Sequence, residues 1–204
     1  MMYSQNNEEQ WIRDYFGDHV GTLLDLGAND GTTLSNSRAA ILRGWSAVLV
    51  EASPTAFSRL RSLYRYPYDD KIELHNVAVC AKSGTMELYD SGPHLNIGDT
   101  GILSTLVTAE RDKWAPTTHF TPVWVECLTF QDLLKRSQFS EFDLITMDIE
   151  GMDETVLVQM DLISMRVRML IIENNVNMEA VTMLCADHGL KKYASNQENT
   201  AFVR

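Results

Sequence analysis

The sequence is poor in cysteine, in basic residues and in long apolar runs, and each shortage closes off a class of function. Its three cysteines, Cys80, Cys127 and Cys185, lie far apart and are odd in number. Without a C-x-x-C pair there is neither a zinc ribbon nor a redox dithiol, and buried reduced thiols are expected. No window approaches the roughly 20 apolar residues that span a bilayer, so no membrane partner is expected. The N-terminal stretch MMYSQNNEEQWIRDYFGDHV has no basic segment followed by an apolar one. It therefore predicts no secretory signal and a cytoplasmic protein. Lys and Arg number 17 against 28 Asp and Glu, a net charge of −11 and a pI of about 4.8. Phosphate contacts need clustered basic side chains, so this balance predicts no nucleic-acid partner and no polybasic membrane anchor. A small neutral or cationic ligand suits it better.

What is present is a chain of 204 residues with 45% apolar residues, enough for one core. A single domain over residues 1–204 is expected, with an N-terminal helix inside 1–19. Short apolar runs alternate with helical stretches. Strands are expected at 20–26, 46–51, 72–79, 85–89, 123–128, 142–148, 168–173, 190–194 and 200–203. Helices are expected at 7–16, 32–43, 54–65, 129–136, 152–160 and 177–188. The stretch 90–122 is broken by Gly92, Pro93, Gly98, Gly101, Pro116 and Pro122 and reads as an inserted substrate lid. Strands alternating with helices imply βαβ units in a doubly wound, mostly parallel sheet with helices on both faces. In such sheets ligands sit outside the carboxyl ends of the strands.

The first strand ends in Asp25-Leu-Gly27-Ala28-Asn29-Asp30-Gly31. Glycines allow a sharp turn and a close backbone approach. The spacing is not a dinucleotide fingerprint, because Asn29 stands where its second glycine belongs, and no Lys is present to make a P-loop. The loop offers Asp25 and Asp30 instead, which would repel a pyrophosphate and attract an ammonium or a sulfonium. The second strand ends at Glu51, twenty residues after Gly31, the usual place for a carboxylate that accepts from a ribose diol. The alternative is a surface Glu preceding a helix. A cationic nucleoside without phosphate satisfies all these positions, and S-adenosylmethionine is one.

The segment LLDLGANDGTTLSNSRAAILRGWSAVLVEASPTAF resembles the first half of a class I methyltransferase of the FkbM family. The resemblance extends over roughly residues 20–175 through Asn76-Val-Ala-Val-Cys-Ala-Lys-Ser-Gly-Thr85, Met147-Asp-Ile-Glu-Gly151 and Leu170-Ile-Ile-Glu173. It implies a Rossmann-like seven-stranded sheet with an antiparallel C-terminal strand, and S-adenosyl-L-methionine as cofactor. It also implies that Gly27, Ala28, Asn29 and Gly31 hold the methionine moiety, with Asp25 organising the loop. Glu51 would bind the ribose hydroxyls, Ala52 would lie beside the adenine, and Asn76, Val77 and Ala78 would flank the base. Two positions depart from the pattern: Asp30 stands where an apolar residue is common, and Glu51 is followed by Ala52 rather than Pro.

Asp148 and Glu150 end the strand at 142–148, and a two-residue offset puts both on one face of an extended chain. Asp148 would also border the cofactor. A hydroxyl becomes a better nucleophile when a base takes its proton, and paired carboxylates raise one another's pKa toward neutrality. The pair therefore reads as catalytic. Two other readings stay open: that Glu150 caps the next helix while Asp148 fixes the loop, and that the pair binds a divalent cation. His75 reads as a packed strand residue, while His94 and His119 lie in 90–122 with Trp114 as candidate substrate contacts. Ser104-Thr-Leu106 resembles a short element of the family that reaches toward the acceptor. The expected activity is methylation of a hydroxyl on a small molecule such as a sugar or polyketide, the acceptor class coming from the resemblance alone. The rivals are an NAD-dependent oxidoreductase and a non-catalytic S-adenosylmethionine-binding module.

Overall fold

A computed structural model describes residues 2–65, 70–95, 97 and 99–204. In the first half the elements are α1 (Glu8–Phe16), β1 (Thr22–Leu26), α2 (Arg38–Leu42), β2 (Ser46–Val50), α3 (Pro54–Leu63), β3 (Ile72–His75), β4 (Ala78–Val79) and β5 (Gly84–Ser91). The second half contains α4 (Thr108–Trp114), β6 (Phe120–Leu128), α5 (Phe130–Arg136), β7 (Leu144–Met147), α6 (Asp153–Leu157), β8 (Met169–Glu173), α7 (Met178–Asp187), β9 (Lys191–Ser195) and β10 (Asn199–Val203). Seven strands form one sheet in the order β3-β2-β1-β7-β8-β10-β9. Within it β10 is antiparallel to both of its neighbours, and the other pairings are parallel. The expected architecture is the one observed.

The central strands are apolar on both faces because both faces are covered. Leu24 and Leu26, Val48 and Val50, Ile145 and Met147, and Leu170 and Ile172 pack against α5, α6 and α7. The alternate residues Leu23, Ala47, Leu49, Leu144, Met169 and Ile171 pack against α1, α2 and α3. Full burial of each such Leu or Ile is worth about 1.5–3 kcal/mol, and a one-residue slip of any strand would exchange the two sets. Helix starts follow local chemistry. The Ser53 hydroxyl accepts from Ala56 N–H (3.1 Å) ahead of Pro54, and the Thr129 hydroxyl accepts from Asp132 N–H (3.2 Å).

Three stretches differ from the sequence expectation. The helix expected at 32–43 is α2 alone. Asp30 accepts from the N–H groups of Thr32 (2.8 Å) and Thr33 (2.7 Å), and Leu34 takes a left-handed φ of +54°, so residues 32–37 form a loop. The strand expected at 72–79 is cut at Asn76, whose side-chain amide donates to the carbonyls of Glu51 (2.8 Å) and Ala52 (3.2 Å). Beyond that cut β4 joins a separate three-stranded sheet, β4-β6-β5. Within 90–122 lies α4, which buries none of its residues and so has no apolar stripe to betray it. Gly98 of that stretch lies outside the described residues. Cys80, Cys127 and Cys185 are free and buried, and burial pushes the thiols of Cys127 and Cys185 up to about 12. Among the described residues no helix is long and apolar enough to cross a membrane.

Candidate active site

The strand ladders run one residue past β1, β2 and β7. Gly27 N–H donates to Val50 O, Asp148 N–H to Leu26 O and Glu51 N–H to His75 O, each at 3.0 Å. Continuing the registers Leu26↔Val50, Leu26↔Met147 and Met147↔Ile172, and adding the pair Asn199↔Glu173, gives one pleat row: Glu51, Gly27, Asp148, Glu173 and Asn199. All five belong to the α1–α3 side of the sheet by the period of two. This row edges a cavity of about 280 Å³ over the carboxyl ends of the strands.

Gly27 must be glycine. Its φ is +91°, and a Cβ there would come within 1.8 Å of the Asp148 carbonyl oxygen. Asn29 also takes a left-handed φ, +48°, and its N–H donates to Glu51 Oε2 at 2.8 Å while Ser53 N–H donates to Oε1 at 2.6 Å. Glu51 is thereby fixed between the two glycine-loop and helix-entry turns. One layer below, Asp25 accepts from the hydroxyls of Ser37 (2.5 Å) and Thr146 (2.8 Å), tying the 32–37 loop to β7. Ala28, Ala52, Val77 and Ala78 complete the wall with Asp25, Gly27, Asn29 and Glu51.

Gly31 and Asn76 do not line the cavity. Gly31 stands behind it, where a Cβ would meet Leu60 at 2.7 Å and Tyr64 at 2.8 Å, so its smallness serves the packing of α3. Asn76 acts through the two carbonyls it clasps. Asp30 also turns away, toward Thr32 and Thr33. Of the histidines only His94 reaches the cavity, beside Trp114 with ring centroids 5.0 Å apart.

Asp148 opens into the cavity, while Glu150 is 9% exposed and has a left-handed φ of +48°. Among the described residues the Glu150 carboxylate makes no hydrogen bond to a protein group, whereas its carbonyl accepts from the Thr105 hydroxyl at 2.8 Å. That bond joins the Ser104-Thr-Leu106 segment to the loop after β7. Gly151 continues the loop at φ +93°, against Glu110 and Val107 of the 92–119 connection. Glu173, Glu198, Lys113 and Asn199 line the cavity as well. Sequence reasoning gave them no role, although the strand-end rule applied to β8 as much as to β7 and would have found Glu173.

So many carboxyls in one enclosed space cannot all ionise at ordinary pH. Burial pushes Glu51 up to about 7 against its two N–H bonds, and pushes Asp153, at the start of α6, up to about 7 with help from the Asp148 charge. Burial likewise raises Asp25 and Asp148. Glu150 is raised by burial and then by the charges of Asp148, Asp153 and Glu110, with Lys113 opposing. Glu173 is raised by burial, by the Asp148 and Glu150 charges and by a hydrogen bond to Asp148. Among the described residues no group of three or more His, Cys, Asp or Glu side chains could hold a metal ion.

A family model described as the methyltransferase FkbM domain matches residues 25–191. The chain belongs to the FkbM methyltransferase family. No curated protein matches this FkbM chain significantly. Among solved structures, a METTL16 MTase domain is 11% identical with a TM-score of 0.53, covering 97% of this chain and 66% of that one. A ribosomal protein L11 methylase from Lactobacillus delbrueckii subsp. bulgaricus is 12% identical with a TM-score of 0.51, covering 97% and 76%. At these identities the likeness shows the fold, that of class I methyltransferases. The FkbM chain spans about two thirds of the length of the METTL16 domains.

The expectation of no nucleic-acid partner is corrected by these comparisons. The structures that share the fold include the METTL16 domains and the ribosomal protein methylase. The physical reason is that net charge is a sum over the whole surface, and much of this chain's excess is gathered inside the cavity, so −11 does not describe the rest.

Proposed function

We propose that this chain is an S-adenosylmethionine-dependent methyltransferase acting on a hydroxyl of a small molecule. The observation that carries the cofactor is the charge of the cavity wall. Six carboxyl residues line it (Asp25, Glu51, Asp148, Glu150, Glu173 and Glu198), and Lys113 is the one Lys or Arg among its described lining residues. Such a wall repels a pyrophosphate and favours a sulfonium. The polar groups fit the rest of that molecule. Asn29 Nδ2 is buried without a partner at the wall, a donor suited to an amino-acid carboxylate. Glu51, held by Asn29 and Ser53, has lone pairs left for a ribose diol, and Ala52, Val77 and Ala78 offer an apolar slot for a base. Gly27 leaves backbone rather than side chain beneath the methionine moiety.

When bound, S-adenosylmethionine supplies the methyl group from its sulfonium and leaves as S-adenosylhomocysteine. Asp148 and Glu150 stand at the wall to align the acceptor hydroxyl and take its proton, which Asp148 then passes to water. The 92–119 connection, carrying His94 and Trp114, closes the side where the acceptor would enter, and reads as the lid. Free buried thiols accord with a cytoplasmic location for what reads as a single domain.

A calorimetric titration tests the cofactor. S-adenosylhomocysteine is expected to bind at micromolar levels or better and NAD not detectably; NAD binding with no response to the homocysteine would overturn the reading. With an acceptor in hand, Asp148→Asn and Glu150→Gln should each lower turnover about 100-fold or more at near-normal cofactor affinity. Unchanged turnover in both would remove their catalytic roles.

A further inference from the structure

The row of residues at the strand ends contains a carboxyl that the reaction above does not use. The register puts Glu173 of β8 directly beside Asp148, and Glu173 hydrogen-bonds to it. Two carboxylates cannot hydrogen-bond each other, so one of the pair carries a proton. The surroundings decide which. Glu173 is the more enclosed of the two, while Asp148 opens into the cavity. The second oxygen of Glu173 is buried and has no partner among the described residues. The charged groups that act on it most are acidic, namely Asp148 after β7, Glu150 in the following loop and Asp153 at the start of α6, while Glu198 in the turn before β10 acts on Asp148. From β10, Asn199 stands opposite, its amide nitrogen committed to Glu8 of α1 at 2.8 Å. The one Lys or Arg among the described residues lining the cavity is Lys113 of α4, which acts on Glu150. Among the described residues the largest influences on Glu173 all disfavour a charge there.

We propose that Glu173 is a positioning residue whose carboxylic acid donates a hydrogen bond to the Asp148 carboxylate and holds that group ionised and oriented at the cavity wall. One oxygen of Asp148 is then occupied by Glu173, and the other is left for the acceptor. The proton on Glu173 stays where it is through a turnover. The acceptor's proton goes to the free oxygen of Asp148 and from there to water. The arrangement rests on the methyl-transfer reading for the use made of Asp148, but the protonation of Glu173 does not depend on it.

Infrared difference spectroscopy of the unliganded chain at neutral pH tests the proton. The parent minus Glu173→Gln spectrum should show the carbonyl stretch of a carboxylic acid, with no matching carboxylate band. If the difference shows only carboxylate absorption, the proposal falls. Should Glu173→Gln fold poorly, the parent chain carrying 13C-labelled glutamate serves instead. An acid-type side-chain carboxyl signal that moves in Asp148→Asn is expected, and the absence of any such signal overturns the assignment. For turnover, Glu173→Ala should lose about 10–100-fold, the range of one charge-assisted hydrogen bond, and Glu173→Gln, which keeps an N–H donor toward Asp148, should recover most of it. A glutamine variant no better than alanine would sink the positioning role. Failure of S-adenosylhomocysteine to bind the parent would overturn the cofactor reading and leave the infrared result standing.

Discussion

Gly27→Ala is expected to cost about 3–5 kcal/mol of folding stability, the sum of a strained backbone and an overpacked contact. The position has a φ of +91°, and the new methyl would have to sit 1.8 Å from the Asp148 carbonyl oxygen. Relief requires β1 and β7 to separate at the end where the ladder still holds, with Asp148 N–H on Leu26 O at 3.0 Å. For a chain of this size the melting temperature should fall by about 10–15 °C. Gly17→Ala is the control, because Gly17 also has a positive φ, +57°, but open space where its Cβ would be. It should lose about 1–3 kcal/mol, the cost of the strained backbone alone. Calorimetric melting of the two variants checks the claim, and equal losses would show that the close approach at Gly27 is unimportant.

Glu51→Ala should weaken S-adenosylhomocysteine binding about 100-fold, corresponding to roughly 2–3 kcal/mol from lost charge-assisted hydrogen bonds. Part of the loss comes from releasing the N–H groups of Asn29 and Ser53, which Glu51 holds at 2.8 and 2.6 Å. The pH dependence carries more information. The carboxyl of Glu51 titrates near 4.5 in an unfolded chain and at about 7 here, and that of Asp153 moves from 3.8 to about 7. A raised acid pKa means that the fold holds its protons more tightly than the unfolded chain does. The unliganded protein should therefore lose stability as pH rises from about 4.5 to about 7. Ionised Glu51 is the better acceptor for a ribose diol and the better neighbour for a sulfonium. S-adenosylmethionine affinity should accordingly rise through pH 7, with proton release visible as a dependence of binding heat on buffer. Glu51→Ala should flatten the affinity trend and leave only the Asp153 part of the stability trend, and an affinity independent of pH in the parent would contradict the arrangement.

Most of the fold was legible because the central strands are fully buried. Runs such as SAVLV and MLIIE have no solvated face to confuse the pattern, and glycine or proline marks their ends. The helices behind them were legible where the first residues marked a start, as at Pro54 and Thr129. Legibility failed where side chains serve the backbone rather than the core. Asp30 and Asn76 read as ligand groups, but one holds a loop open and the other cuts a strand in two. The α4 helix was invisible for the opposite reason, having nothing to bury. At the site, Gly31 belongs to the glycine motif but spends its smallness on Leu60 and Tyr64. Glu173 stood at a strand end within a recognised motif, but its pairing with Asp148 depends on register across a parallel sheet, which is not written in either strand alone.

The bond from Thr105 to the Glu150 carbonyl also bears on how acceptor choice could be redesigned. The chain leaves β5 at Ser91 and returns to β6 at Phe120, and within that excursion Thr105 is stitched to the loop that bears Asp148 and Glu150. Residues on the β5 side of the stitch could be exchanged to reshape the acceptor chamber while the stitch keeps the loop aligned. A graft that includes Thr105 would have to bring its own hydroxyl to the same carbonyl, or the new chamber would open onto displaced carboxyls.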